Sequence, residues 1–337
     1  MTKPHLFILV SSLIASFFVT PFVKKLALKA KAVDMPTHRK VHHKIIPRWG
    51  GLAIYTGFFL SLLLLFVLND SFKKLLELKH YFLGWQLLGI FVAGTVIVIV
   101  GMLDDKFGLP PKIKLSGQII SALILVAFGT KFSGITLPFT KSFLELHSFL
   151  GIGITVFWVV LLINSFNFVD GLDGLASGLA IITAITFFCI SLEYLPIVKG
   201  YMVQKSLVFT AILSLALVGS ALGFLRYNFN PARIFMGDTG SQFLGLILAS
   251  ITIIGAFKRV STFAIFVPLF AVAIPIADTG YAIIRRIKKK TPISMPDKKH
   301  FHHQLLAIGF SQKQAVVILY LISAILAAFA VFLTKYK

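Results

Sequence analysis

The sequence predicts an all-α polytopic integral membrane protein of about ten transmembrane helices, one domain over residues 1–337, with its polar groups gathered at the cytosolic face. Three observations predict this. Hydrophobic residues make up 57% and charged residues 13%, against roughly 45–50% and 25% in soluble domains. The 34 Phe add more apolar surface than a soluble fold of this length could keep from water. The apolar residues also fall into runs of about 20, the length that crosses a hydrocarbon core.

The runs cover 5–28, 50–69, 81–102, 114–130, 148–168, 174–192, 204–223, 239–257, 262–284 and 314–335. The first, Leu6 to Val23, exceeds the roughly 7–15 apolar residues of a signal peptide. Lys24 and Lys25 follow it where a small-residue cleavage site would stand, so a retained helix is expected. Between the fourth and fifth runs, Ile135-Thr136-Leu137-Pro138-Phe139 alternates and reads as a short outer β-hairpin within Lys131 to Ser148. The ninth run holds Pro268 and Pro275, which free backbone carbonyls and predict a kink. Cys189 is the single cysteine, lies in an apolar run, and forms no intrachain disulfide.

The net charge is +21. In a soluble protein that excess points to nucleic acid. In a membrane protein Lys and Arg set topology and meet anionic lipid, so membrane lipid is expected as a partner and nucleic acid is not. The connections 29–49, 103–113, 169–173, 224–238 and 285–313, with the adjoining helix ends, hold 21 of the 33 Lys and Arg. The positive-inside rule places this set in the cytosol and both termini outside, giving a multi-pass protein of the plasma (inner) membrane. Eight of nine Asp fall on or near the same side, whereas Glu77, Glu145 and Glu193 fall on the other.

Five inner segments carry chemistry. Asp104-Asp105 closes the third run, where paired carboxylates are costly unless a cation neutralises them. Lys106, Lys112 and Lys114 follow, so local ion pairing is the plainer alternative. Asn164 through Ala176 sets Asn164, Asn167, Asp170 and Asp173 three residues apart, with Gly171 and Gly174 ending the helix. Interhelical hydrogen bonding by the amides is the structural alternative there. In Phe235-Met236-Gly237-Asp238-Thr239-Gly240, Asp238-Thr239 reads as a helix cap, and a Gly-flanked helix start also suits phosphate. His300-Phe301-His302-His303 follows Arg285-Arg286-Ile287-Lys288-Lys289-Lys290 and no Cys is near, so phosphate oxygens suit it better than zinc. The first connection carries Lys44 and then Pro47-Arg48-Trp49-Gly50-Gly51, a charge run that could serve merely as a surface anchor. Carboxylates, amides and cations converging from five connections are the equipment of phosphoryl transfer around a hard cation such as Mg²⁺.

Taken in order, these motifs resemble the polyprenyl-phosphate N-acetylhexosamine-1-phosphate transferases, over most of the chain. The resemblance implies transfer of N-acetylhexosamine-1-phosphate, GlcNAc-1-phosphate first among them, from a UDP-N-acetylhexosamine to polyprenyl (undecaprenyl) phosphate, with release of UMP. It implies catalytic roles for Asp104, Asp105, Asp170 and Asp173, the first two deprotonating or positioning the lipid phosphate. It implies Asp238 and Asn167 at the metal, Mg²⁺ or alternatively Mn²⁺. Substrate contacts fall to Lys44, Arg48, Lys112, Lys114, Asn164, His300, His302 and His303. A homodimer is compatible with it. The peptidoglycan translocases of this family, which transfer phospho-MurNAc-pentapeptide, usually carry three successive His and a Gly-Thr-Pro-Thr-Met-Gly-Gly loop. Here Phe301 interrupts the histidines and the loop reads Ile45-Ile46-Pro47-Arg48-Trp49-Gly50-Gly51. Both departures favour a GlcNAc-1-phosphate transferase. A transporter is the rival of another class, since Asp278 in a Pro-broken span fits a carrier, although carrier sites sit near the midplane.

Overall fold

The computed structural model describes residues 3–35, 45–76, 82–136, 143–255, 272–288 and 301–334. Its elements are α1 (Lys3–Lys29), β1 (Val33–Asp34), β2 (Ile46–Pro47), α2 (Gly51–Leu68), α3 (Asp70–Leu75), α4 (Leu83–Phe107) and α5 (Pro111–Ala127). There follow β3 (Gly134–Thr136), β4 (Phe143–Glu145), α6 (Ser148–Val169), α7 (Leu175–Tyr194), α8 (Tyr201–Asn228) and α9 (Gly237–Ile254). The last three are α10 (Ala273–Lys288), α11 (Phe301–Ala307) and α12 (Gln312–Leu333).

Among the described residues, eight helices are long and apolar enough to cross a membrane: α1, α2, α4, α6, α7, α8, α9 and α12. The chain is thus an all-α polytopic membrane protein. Helix α5 takes the place of the fourth apolar run with 17 residues. Helix α10 covers only the later part of the ninth run; Pro268 lies outside the described residues, and Pro275 stands in the first turn of α10, where a proline needs no kink.

Burial sorts the helices into layers. Helix α8 packs against α1 and α7, and α9 lies against α4 and α6. Both are apolar on every side and buried along most of their length, which marks them as the centre of the bundle. Helices α1 and α12 lie outside and present Leu6, Phe18, Phe22, Leu321 and Ile325 outward, as lipid-facing helices do. Lipid tails are as apolar as leucine, so close packing must hold helix to helix. Small residues supply it. A Cβ on Gly219 would meet the Leu9 carbonyl oxygen of α1, and one on Gly223 would meet that of Leu13. On the other side of α1, a Cβ on Gly57 of α2 would come 2.8 Å from Ser16 Cβ.

The expected hairpin forms as β3–β4, paired antiparallel with Ile135 opposite Leu144. A second antiparallel pair, β1–β2, was not legible in the sequence: Val33 pairs with Pro47 and Asp34 with Ile46, pinching the first connection. The inner connections are shorter than the apolar runs predict, because helices continue past the apolar edge. Helix α4 runs on through Asp104 and Asp105 to Phe107, and α8 runs to Asn228. The Asp pair therefore sits on a rigid helical turn, and Gly108 at φ 67° ends that helix in the left-handed conformation.

Gly223→Leu is expected to lower stability by about 1–3 kcal/mol through overpacking against α1. Gly153→Ala, where a Cβ meets nothing within 4 Å, should leave it unchanged. Thermal unfolding of the detergent-purified variants measures both.

Candidate active site

One end of the bundle gathers the starts of α2, α5, α7 and α9 and the ends of α4, α6 and α8. The first connection straps it. The Gly50 and Gly51 amides donate to the Phe235 and Met236 carbonyls at 3.0 Å each, and the Phe235 amide donates to the Pro47 carbonyl at 2.9 Å. Trp49 stands in the left-handed region (φ 73°), a strained conformation for a bulky residue. It is held there by burial and by its indole N–H, which donates to the Met102 carbonyl of α4 at 3.0 Å. The strap brings glycine against glycine: a Cβ on Gly51 would collide with Gly240 of α9, and one on Gly101 of α4 would lie 2.6 Å from Thr239 Cα.

Helix α9 therefore starts close against α4, and Asp105 reaches it. The Asp105 carboxylate accepts the Asp238 amide at 2.9 Å, the Thr239 amide at 3.1 Å and the Thr239 hydroxyl at 2.6 Å. Its side chain is 1% exposed. Local sequence placed the cap at Asp238-Thr239; in the fold Met236 takes the N-cap position without a side-chain bond, and the capping carboxylate comes from α4. Arg48, half-buried, bonds Asp34 of β1 and lies 3.9 Å from Asp105 Oδ1.

Asp104, on the neighbouring position of α4, faces another way. Its Oδ1 accepts the Leu109 amide at 2.7 Å, and its Oδ2 pairs with the Lys114 ammonium. Lys114 also donates to Asp238 Oδ2 at 3.1 Å. The two carboxylates are bridged by one cation. Gln242, one turn along α9, donates to Asp238 Oδ2 at 3.2 Å. Asn167 donates to Ser241 Oγ at 3.0 Å, one turn along α9 from Asp238. Asp170, just beyond α6, has its carboxyl held well above the ordinary carboxylate range by burial, then by the charges of Asp238 and Asp105, with Arg48 opposing.

The remaining predicted residues divide. Asp173 Oδ2 accepts from the Asn230 side chain at 3.0 Å and the Ala232 amide at 2.9 Å, holding the α8–α9 connection against the start of α7. Asn164 is taken up by Gln118 of α5, to which it donates at 2.7 Å, and by the Val160 carbonyl at 2.8 Å. The bond to Gln118 runs between helices, the structural alternative the sequence left open. Lys112 is exposed at the start of α5. Lys44 and His300 lie outside the described residues. His302 and His303 belong to α11, whose first amide, at Phe301, donates to Asp278 Oδ1 of α10 at 2.9 Å. Arg286 of α10 in turn stands 5.5 Å from the ring of Phe168 near the end of α6, which brings α10 to this same end of the bundle.

Sequence reasoning gave no role to Asp34, Gln118 or Asn228, and read Thr239 only as part of a local cap. Asn228 is buried; it accepts the Gly174 amide at 3.1 Å and donates to the Ile234 carbonyl at 3.1 Å. The available signal was one acid in a basic loop for Asp34, and an amide in an apolar helix for Gln118.

Asp238, Asp104 and Asp170 supply carboxylate oxygens, the ligand type a hard cation prefers, and as the side chains stand Asp238 Oδ2 is taken by N–H donors of Lys114 and Gln242. Among the described residues no group of three or more His, Cys, Asp or Glu is disposed to hold a metal. Mg²⁺ commonly takes only one or two carboxylates and completes its shell with water and substrate phosphates. A carboxyl crowded by like charge, as Asp170 is, also gains from a cation.

A membrane bundle with carboxylates, a bridging lysine and a helix N-terminus gathered at one end has the make-up of an enzyme for phosphate-bearing substrates. Residues 87–256 match Glycosyl transferase family 4, and the chain belongs to that family. It is 40% identical over 322 residues to the probable undecaprenyl-phosphate N-acetylglucosaminyl 1-phosphate transferase of Bacillus subtilis (strain 168), covering 96% of this chain and 83% of the relative. It is 38% identical over 327 residues to the decaprenyl-phosphate N-acetylglucosaminephosphotransferase of Mycolicibacterium smegmatis, covering 93% and 78%. It is 30% identical over 315 residues to the undecaprenyl-phosphate alpha-N-acetylglucosaminyl 1-phosphate transferase of Escherichia coli (strain K12), covering 92% and 78%.

Lys114→Gln removes the cation between Asp104 and Asp238 and should cut turnover by about a hundredfold, the worth of roughly 2–4 kcal/mol at a charged site. Lys112→Gln, at an exposed position, should stay within a few-fold of the parent. Steady-state kinetics on the two purified variants separates them.

Proposed function

We propose that this chain transfers N-acetylglucosamine-1-phosphate from UDP-N-acetylglucosamine to a polyprenyl phosphate, releasing UMP, at the cytosolic face of the plasma membrane and with Mg²⁺ (Mn²⁺ as a substitute). The observation that carries the reading is the convergence of Asp104 and Asp238 on Lys114 at one end of the bundle. Relatives named for undecaprenyl- and decaprenyl-phosphate N-acetylglucosamine transfer support the sugar and the acceptor class. The concentration of Lys and Arg in the connections at that end supports the orientation.

In the reaction an oxygen of the lipid phosphate forms a bond to the sugar-bound phosphorus. The bond from that phosphorus to the UMP oxygen breaks, and UMP carries away the electron pair. One diphosphate linkage replaces another, so the step is reversible. A phosphate monoester has a second pKa near 6, by the general value; it needs little activation near neutral pH, which favours direct displacement over attack by an Asp. Asp104 orients the lipid phosphate and accepts its remaining proton. Lys114 offsets the charge that builds as two anions meet. Asp238 and Asn167 would hold the cation, which when bound spreads the charge of the phosphoryl group. Asp170 adjoins that pair, and Asp173 keeps the α8–α9 connection in place. Arg48 stands at the edge of the site beside Asp105, and by the family resemblance His300, His302, His303 and Lys44 would meet the diphosphate or sugar.

Purified protein incubated with Mg²⁺, undecaprenyl phosphate and a panel of UDP-sugars is expected to release UMP with UDP-N-acetylglucosamine. Release with UDP-MurNAc-pentapeptide instead would overturn the sugar assignment. Chelation should abolish release, and added Mg²⁺ should restore it. Asp238→Asn should lower turnover by about a hundredfold or more without loss of folded protein. Near-normal turnover of that variant at saturating Mg²⁺ would remove Asp238 from the site.

A further inference from the structure

We propose that the two residues of the Asp104-Asp105 pair have separate tasks: Asp105 is a positioning residue, the cap supplied by α4 to the start of α9, and it aims Asp238 without meeting substrate. The proposal rests on the reading of Asp238 as a metal and phosphate carboxylate.

Helix geometry separates the pair first. Successive residues on an α-helix project about 100° apart, so one face of α4 cannot present both carboxylates to the same ligand. Asp104 points toward α5 and Lys114, while Asp105 points toward α9. Bonding then fixes the tasks. A carboxylate has about four acceptor positions. Three at Asp105 are filled from α9, by two amides and the Thr239 hydroxyl, and Arg48 stands beside it. With 1% of its side chain exposed, it offers no approach to a lipid phosphate.

The need for such a cap is also visible. The first amides of a helix have no partner within it, and Met236 at the N-cap position supplies no side-chain acceptor. Gly237 is tailored to the contact: its φ is +70°, and a Cβ there would strike the Asp105 carboxylate. The amide that Asp105 holds most directly is that of Asp238 itself, so the cap sets the backbone from which the Asp238 carboxylate projects.

Three variants of the full chain test this beside Asp104→Asn and Asp238→Asn. Asp105→Asn keeps one acceptor oxygen, Asp105→Ala keeps none, and Thr239→Val removes the hydroxyl donor at nearly unchanged volume. The readouts are backbone amide hydrogen exchange at 238–240 in metal-free protein, the Mg²⁺ concentration for half-maximal UMP release, and the acid limb of the pH–rate profile. We expect exchange at least about tenfold faster in Asp105→Ala, the equivalent of one lost bond to a charged acceptor. Asp105→Asn should fall between Asp105→Ala and the parent, and Thr239→Val should move in the same direction. Half-saturating Mg²⁺ should rise in the same order, with the acid limb unmoved. Equal inactivity of Asp105→Asn and Asp105→Ala with parental exchange, or a displaced acid limb, would overturn the proposal and return Asp105 to the chemistry. If Asp238→Asn turns over normally, the metal reading fails, and the exchange series still decides whether Asp105 caps α9.

Discussion

A helix that ends at a membrane boundary leaves amides and carbonyls that lipid cannot satisfy. In this fold many of them are satisfied by side chains from other helices, and those bonds bring the site together. Asp105 of α4 holds the start of α9. Asn228 of α8 holds the Gly174 amide at the start of α7 and the Ile234 carbonyl before α9. Tyr320 of α12 donates to the Gly174 carbonyl at 2.6 Å, and Asp173 holds the Ala232 amide. Each bond closes a helix end and fixes it to a neighbour at the same time. The end of the bundle is thereby rigid, as displacement at phosphorus requires of the groups that position two anions.

That rigidity sets the electrostatics. Asp104 and Asp238 share the Lys114 ammonium, and Asp170 feels the charges of Asp238 and Asp105 with Arg48 opposing. Such a cluster is stable as it stands only while Lys114 remains in place. Gathered carboxylates of this kind are the ligand type that a hard cation prefers.

How much of this was legible depended on the range of each signal. Apolar length gave the membrane helices, because crossing a hydrocarbon core is a constraint on the segment itself. Residue type and spacing pointed to Asp104, Asp238 and Asn167 as neighbours in one site. The division between Asp104 and Asp105 was not legible, since it depends on which faces of α4 meet α5 and α9. Asn164 and Asn167 looked equivalent at three-residue spacing; Gln118, some 46 positions away in the chain, takes up one of them. The extra turn of α4 beyond its apolar run was hidden because bonds to Leu109, Lys114 and α9 there replace the support that lipid gives to apolar residues.

The same bonding separates an enzyme from a carrier. Asp278 was the acid that best fitted a transport site, being embedded in the ninth apolar run. In the fold its Oδ1 accepts the Phe301 amide, and the Tyr281 and Phe301 rings meet edge to face at 5.8 Å. The acid thus ties the helix that bears His302 and His303 to α10. Deeper in the bundle the amides of Asn164 and Gln118 are directed at each other. The carboxylates that converge on a cation lie instead at the helix ends, where a phosphate carried by a membrane lipid and a water-soluble nucleotide sugar can meet. A carrier needs its binding groups near the midplane, reachable from both sides in turn. Here the carboxylates that converge lie together at one end of the bundle, the arrangement a transferase needs.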